Sequence, residues 1–210
     1  MKTMKVKLTF VEPILGMSPA NDNIYRDFIG AKAPDAASLE EEVAALGADA
    51  VADKGRTVFP RLDDGTPFIW DYQIKGMFKD SCGMLNRLSK KDEETGKKKP
   101  ANESSKLTAY KKIIDGLIFP QPRRIPITFD GEIGSCERPL RAMTMQGERV
   151  SLASSDEIPA GATVEFSIVA LDDSTIPAIR EWLDYGALRG FGQWRNSGKG
   201  RFTWEELEIA

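Results

Sequence analysis

Histidine is absent from the 210 residues of this chain. Without an imidazole, the chain cannot use Ser-His-Asp or Cys-His nucleophilic catalysis, a zinc site built on histidine, or histidine as a general acid or base. Any chemistry has to come from carboxylates, lysine, tyrosine or a bound metal. The composition therefore favours a binding protein over an enzyme, and we expect no cofactor and no metal site.

Cysteine and long apolar runs are also scarce. The two cysteines, Cys82 and Cys136, lie far apart without a Cys-x-x-Cys spacing, which indicates a reducing, cytoplasmic setting. No run of about 18 apolar residues occurs, so the sequence predicts no membrane span. Residues 1–7 alternate polar and apolar side chains and lack the apolar core of a secretion signal.

A net positive charge is lacking as well, because 29 Lys and Arg residues stand against 32 Asp and Glu residues, for a net charge of −3. Any contact with nucleic acid must therefore come from a local basic patch. Residues 21–50 carry seven acidic and two basic side chains, whereas residues 86–112 carry nine basic and four acidic ones. The length and a hydrophobic content of 41% predict a single domain over residues 1–210.

What the chain does have is a segment, residues 186–201, that is rich in both glycine and positive charge and contains no acidic residue. Glycine allows a positive φ, and successive backbone N–H groups in such a turn form an anion site. Aromatic residues between basic ones suit a nucleotide chain, with bases stacked and phosphates bound outside. A purely structural turn before an edge strand is the alternative. The candidate residues are Arg189, Gly190, Phe191, Gly192, Trp194, Arg195 and Lys199.

Apolar periodicity predicts the regular elements. Residues 5–11 alternate polar and apolar side chains, so we expect a strand that buries Val6, Leu8 and Phe10 on one face. The other predicted elements are helices over residues 71–88, 105–117 and 176–185, the last capped by residues 172–175, and strands over residues 125–129, 161–170 and 201–207.

Three segments between these elements have signatures of their own. Residues 18–57 are acidic and are interpreted as a helical insertion, with a helix over residues 38–47. An Asp-Gly turn signal at Gly65 predicts a hairpin over residues 57–70. Residues 120–160 are interpreted as an insertion that contains a β-hairpin.

The start of the helix predicted from Asp71 is a second candidate anion site. Asp71 is its expected cap, and Lys75 and Gly76 fall where unpaired backbone N–H groups attract anions. Lys79 follows one turn later. We expect this helix start and the glycine-rich segment to face a common electropositive groove. A merely solvated Lys75 is the alternative.

The order of strand, helix, β region, strand, helix, glycine-rich segment and strand is that of an α+β fold with a ferredoxin-like, RRM-like βαββαβ core. Three stretches resemble the RAMP superfamily of CRISPR effector subunits. Residues 8–16 (LTFVEPILG) are similar to its opening strand and turn. Residues 68–79 (FIWDYQIKGMFK) are similar to the element that opens its first helix. Residues 189–192 (RGFG) are similar to its glycine-rich loop.

This resemblance implies a non-catalytic subunit that holds single-stranded guide RNA and assembles with other effector subunits or copies of itself. The residues expected to bind RNA are Lys75, Gly76, Lys79, Arg189, Gly190, Phe191, Gly192, Trp194, Arg195 and Lys199.

Two alternatives stay open at this stage. The first is an endoribonuclease of the same superfamily that works through lysine, tyrosine or Asp53. Type III backbone subunits carry an aspartate upstream of the first helix, but ungapped counting places it at Gly55, so Asp53 is not assigned as catalytic. The second is a ferredoxin-like protein-interaction module, or a mimic of an effector subunit, that binds no RNA.

Overall fold

The computed structural model of this chain describes residues 1–20, 56–91, 98–144 and 147–209. The expected helical insertion, including Asp53 and the helix over residues 38–47, lies outside the described residues except at its two ends.

The described residues form an α+β structure of three α-helices and thirteen strands. None of these helices is long and apolar enough to cross a lipid bilayer. In chain order the elements are β1 (Lys2–Phe10), β2 (Ile14–Leu15), β3 (Ser18–Pro19), β4 (Thr57–Val58), β5 (Phe68–Trp70), α1 (Asp71–Leu85), β6 (Ser89–Lys91), β7 (Lys98–Pro100), α2 (Tyr110–Leu117), β8 (Ile118–Gln121), β9 (Arg124–Thr128), β10 (Gly134–Thr144), β11 (Gly147–Ile158), β12 (Thr163–Ala170), α3 (Ile176–Arg189) and β13 (Phe202–Ile209).

β1 lies inside the larger sheet, whose strand order is β13-β1-β12-β9-β5. It pairs antiparallel with β12 on one side and β13 on the other, and β8 pairs with β12 next to β9. Met4, Val6, Leu8 and Phe10 are fully buried, whereas the residues between them are more exposed. The alternation predicted for this strand is confirmed, because a period of two places these side chains on one face.

α1 and α3 pack on the apolar face of this sheet. Ile74 and Phe78 of α1 belong to the same buried cluster as Trp182 and Leu183 of α3 and the inner face of β1. The rings of Phe78 and Trp182 lie 5.5 Å apart, centroid to centroid. Such aromatic pairs add about 0.5–1.5 kcal/mol to the gain from area burial, so this contact helps to fix α1 against α3.

β10 and β11 form a long hairpin in which Gly134 lies opposite Glu157 and Thr144 lies opposite Gly147. The hairpin predicted within residues 120–160 is therefore confirmed, and its arms are longer than the sequence pattern indicated. β11 also pairs with β2 and β4, and β4 pairs with β3, which gives a second sheet. This sheet brings the base of the hairpin next to the segment that follows β1.

The hairpin predicted over residues 57–70 forms only around its turn. Gly65 adopts a φ of +86°, and a single bridge joins Arg61 to Pro67. The arms then separate, because β4 joins the second sheet whereas β5 pairs with β9. Pro60 and Pro67 flank the turn, and proline lacks the N–H group that a longer ladder needs.

The first long helix begins at Asp71, as predicted, but Asp71 is not its cap. The N-cap is Trp70, whose N–H donates to the side-chain oxygen of Gln73 at 2.9 Å. The Asp71 carboxylate instead accepts the N–H of Tyr72. Gln73 can take this role because a residue at the third helical position reaches back to the cap. α1 ends about one turn earlier than predicted.

The second predicted helix differs at its start. The segment over residues 105–117 divides into a 3₁₀ turn, Ser104–Lys106, and α2, with Ala109 at a φ of +53° between them. The cap predicted over residues 172–175 is confirmed, because the Asp172 carboxylate accepts the N–H of Ser174 and the 3₁₀ turn Asp173–Thr175 leads into α3. α3 continues one turn further than expected.

Glu181 on α3 binds the segment that connects α1 to α2. Its carboxylate accepts the N–H of Glu103 at 2.8 Å, the N–H of Ser104 at 3.1 Å and the Ser104 hydroxyl at 2.9 Å. The same Ser104 oxygen accepts the indole N–H of Trp182 at 2.9 Å, and Ser104 is fully buried. One carboxylate thus satisfies three donors, two of which belong to the fully buried Ser104.

We expect Glu181→Ala to lower the free energy of unfolding by about 2 kcal/mol, because it leaves buried donors without an acceptor. Urea denaturation followed by circular dichroism measures this change. Glu132→Ala is the matched control, since Glu132 is an exposed glutamate, and we expect it to change stability little. Equal stability of the two variants would show that Glu181 does not hold this connection.

Candidate nucleic-acid interface

The glycine-rich segment is a closed loop, residues 190–201, which we call the glycine loop. The N–H of Phe191 donates to the carbonyl of Gly200 at 2.8 Å. Gly190 has a φ of +87°, and a Cβ there would lie 2.4 Å from the carbonyl oxygen of Lys199. Gly200 has a φ of +71°, and its Cβ would lie 1.9 Å from the Phe191 oxygen. These two glycines are required because the loop backbone contacts itself.

The two aromatic residues of the loop have different environments. Phe191 is only 2% exposed, and its ring lies 6.3 Å from that of Phe10, so it is part of the core. Trp194 is 40% exposed and is therefore accessible to a base. The expectation that either aromatic could stack on RNA is corrected accordingly, because a side chain with 2% exposure has no ring face free for a base.

The loop cations form ion pairs with carboxylates of other elements. Arg195 lies 2.6 Å and Arg189 lies 3.6 Å from the same oxygen of Asp80 on α1. Lys199 lies 2.6 Å from Glu157 on β11. The three side chains predicted to bind phosphate are thus already paired within the protein, and an RNA phosphate has to compete with these carboxylates.

A fourth cation, Arg138 on β10, joins this cluster and was missed from the sequence. Its side chain is 7% exposed, and its Nη2 donates to the side-chain oxygen of Gln193. Its guanidinium lies over the Trp194 ring, 5.2 Å from the ring centroid. Arg138 belongs to the segment interpreted as an insertion, and no spacing in the sequence connects it to the loop.

We call these four basic residues and their two carboxylates the cation cluster. Its basic members are fixed by three elements: α3 ends at Arg189, β10 carries Arg138, and the glycine loop carries the other two. Because four positive charges face the two negative charges of Asp80 and Glu157, the cluster keeps a net positive charge of two within an acidic chain. This excess positive charge attracts anions to the cluster.

A cleft lies between α1 and the glycine loop. It has a volume of about 280 Å³, and Gly192 and Arg195 also line an adjoining recess of about 330 Å³ that reaches Trp194. Gly76 lines the cleft from α1, and a Cβ at Gly76 would meet no atom within 4 Å. Glycine inside a helix costs stability, and no packing contact explains this one. The remaining lining residues are Met17, Gln73, Met77 and Phe191 for the cleft, and Arg189, Gln193 and Asn196 for the recess.

Lys75 and Lys79 lie on a different face of α1. The Lys75 ammonium donates to the carbonyl of Asp115 at 3.1 Å and lies 4.5 Å from the centroid of the Phe119 ring. Lys79 lies 2.6 Å from the Asp115 carboxylate. The structure therefore brings Gly76 to the glycine loop but directs both lysines toward α2 and β8. The expected common groove of Lys75 with the loop arginines is not formed. Residues four apart lie on one stripe of a helix, so Lys75 and Lys79 share one stripe of α1, whereas Gly76 and Asp80 share another.

The two cysteines are free thiols. Burial raises the pKa of Cys82 to about 11, so this core thiol stays protonated at neutral pH. Burial also raises the pKa of Cys136, with Glu157 acting in the same direction. Within the described ranges, no group of three or more Cys, Asp or Glu side chains has an arrangement that could hold a metal ion.

No model of a protein family matches this chain, and no curated protein sequence matches it. Among solved structures, it is similar to a chain of the cryo-EM structure of the type III-B Cmr-beta bound to cognate target RNA. The two share 11% sequence identity with a TM-score of 0.51, and the match covers 100% of this chain and 60% of the other. This chain therefore spans about 60% of the length of its neighbour, to which it is similar in fold.

Proposed function

We propose that this chain is an RNA-binding, RAMP-like subunit that holds the backbone of a single-stranded guide RNA in a CRISPR-type ribonucleoprotein complex. We propose that it does so without cleaving RNA, with other subunits or further copies of this chain as partners. The observation that carries this proposal is the cation cluster, whose excess positive charge lies beside a cleft lined by Gly76.

The strand order supports a ferredoxin-like core as part of this proposal. β8 and β9 both pair with β12, on the side away from β1, and together occupy one strand position. Counted in this way, β1, α1, β8 with β9, β12, α3 and β13 follow the βαββαβ succession. In the larger sheet these strands lie in the order β13-β1-β12-β9. RNA-recognition modules use the same plan, and the structural neighbour was solved with target RNA.

RNA phosphates would bind to N–H donors of the cluster arginines that Asp80 does not engage. Arg189 and Arg195 share one oxygen of Asp80, so one carboxylate serves two guanidinium groups, each with five N–H donors. A phosphate oxygen between the two arginines would accept from the remaining donors. Trp194 would stack on a base. Because the excess charge is local, we expect affinity to fall steeply with salt.

We expect the triple variant Arg189→Ala, Arg195→Ala, Lys199→Ala to bind labelled single-stranded RNA at least about tenfold more weakly than the wild type. The slope of log affinity against log salt should become shallower by about 2, since each phosphate contact on a single strand contributes ~0.7. Fluorescence anisotropy across a salt series measures both quantities.

The matched control removes the same charge from exposed cations away from the cluster. It is the triple variant Arg87→Ala, Lys111→Ala, Lys112→Ala. We expect it to keep most of the affinity. Tight binding by the cluster variant, or an equal loss in both variants, would contradict the proposed site. No binding of RNA by the wild type would contradict the proposed function.

Asp80→Asn provides a test in the opposite direction. Removing the shared carboxylate releases Arg189 and Arg195, so we expect RNA affinity to rise roughly three- to tenfold. Asp115→Asn is its control, because Asp115 pairs with Lys79 on the other face of α1. Anisotropy at one fixed salt concentration compares the two. A rise for Asp115→Asn alone would place the RNA on the α2 side.

Gly76→Ala should change stability and RNA affinity in opposite directions. Nothing within 4 Å opposes the added methyl group, so the free energy of unfolding should rise by roughly 0.5–1 kcal/mol. The methyl group points into the cleft, so RNA affinity should fall. Gly116→Ala in α2 is equally free of contacts and should stabilise without changing affinity. Thermal unfolding and anisotropy give the two readouts, and unchanged RNA affinity for Gly76→Ala would remove the cleft from the binding path.

A further inference from the structure

Arg138 is a buried charge without a counter-charge among the described residues. Its Nη2 is bound by Gln193, but its Nη1 has no hydrogen-bond partner. Asp80 and Glu157, the two carboxylates of the cation cluster, are bound to the other cations. A buried guanidinium with an unused donor is costly, and buried charges in native proteins are paired or coordinated. A bound anion would neutralise Arg138, and the described residues contain no such partner for it.

Trp194 covers Arg138. The guanidinium lies 5.2 Å from the centroid of the indole, and the indole is 40% exposed. Trp194 has a φ of +53°, in the left-handed region that bulky residues seldom adopt. Strained backbone of this kind collects at ligand sites and switch regions. One surface of the ring contacts the charge while the exposed part is open to another planar group.

We propose that Arg138 is a phosphate ligand of the bound RNA and that Trp194 is the lid above it, an inference that rests on the proposed function. When a strand enters the recess beside Trp194, the indole turns off the guanidinium and stacks on a base. The uncovered Nη1 then donates to a phosphodiester oxygen. Gln193 keeps its bond to Nη2 and thereby sets the direction of the remaining donors, which a planar guanidinium presents to phosphate in a fixed fork.

The position of Arg138 on a strand suits this role. Arg138 lies opposite Ala153 in the antiparallel ladder of β10 and β11, so its backbone is held by the hairpin. Side chains on strands are positioned more precisely than side chains on loops. Trp194 and Gln193, by contrast, belong to the glycine loop. The site thus consists of Arg138, whose charge is fixed on β10, and Trp194, which covers it from the glycine loop.

The main test replaces Arg138 by methionine, which keeps an apolar stem beneath Trp194. For Arg138→Met we expect RNA affinity to fall about tenfold and the salt slope to become shallower by ~0.7, the contribution of one phosphate contact. We expect the melting temperature to stay the same or to rise, because an unpaired buried charge is removed. Arg87→Met, an exposed arginine outside the cluster, is the control and should keep its affinity.

The lid has a separate readout in tryptophan fluorescence. RNA should change the emission of the wild type, and most of this change should disappear in Trp194→Phe, which keeps Trp70, Trp182 and Trp204. Where Arg138→Met does not fold, Arg138→Lys replaces it. The lysine keeps the charge but loses the fork, so the salt slope should be retained while affinity falls a few-fold.

The outcomes are distinguishable. A wild type that binds RNA together with an Arg138→Met variant that binds equally well overturns this proposal and leaves the proposed function standing. A wild type that does not bind RNA overturns both. Binding of a polyglutamate peptide that depends on Arg138, in the absence of RNA binding, would assign the site to a carboxylate partner and also overturn the phosphate assignment.

Discussion

The glycine loop depends on close contact between stretches of backbone. The N–H of Phe191 donates to Gly200, and the N–H of Gly200 donates to the carbonyl of Pro13 just after β1. Because a side chain at Gly200 would overlap the Phe191 carbonyl, only glycine permits this closure. Arg189 immediately precedes the closed loop and Lys199 lies near its end, so the same backbone bonds set the spacing of these two charges. Two carboxylates then join the loop to α1 and to β11.

Much of the fold follows from local patterns. The alternation of β1 and the periodicity of α1 reflect burial on one face, which a sequence displays directly. The turn at Gly65 was also predictable, but the partners of its two arms were not. A turn signal fixes the conformation of a few residues, whereas the choice between β9 and β11 as a partner depends on the whole sheet. The link from Glu181 to Ser104 is equally hidden, because it joins residues far apart in sequence.

The residues of the candidate site were largely predictable from the sequence, but the ion pairs between them were not. Glycine and cation content located the loop and Gly76, but a count of charges does not show which carboxylate each cation meets. Asp80 lies on α1 next to Lys79, and only the rotation of the helix decides which of them faces the loop. The burial of Phe191 follows from β1 lying beneath it. Arg138 enters the site because β10 and β11 dock on this side, which no local pattern encodes.

The hairpin of β10 and β11 carries a consequence for assembly. Arg138 lies on β10, and the hairpin belongs to the second sheet, where β11 pairs with β2 and β4. If a phosphate binds Arg138, the hairpin becomes part of the RNA-bound state, and its freedom to move is reduced. Coupling between two binding events is reciprocal. A neighbouring subunit that binds the hairpin would then increase the lifetime of RNA at Arg138, so assembly and RNA retention would be cooperative.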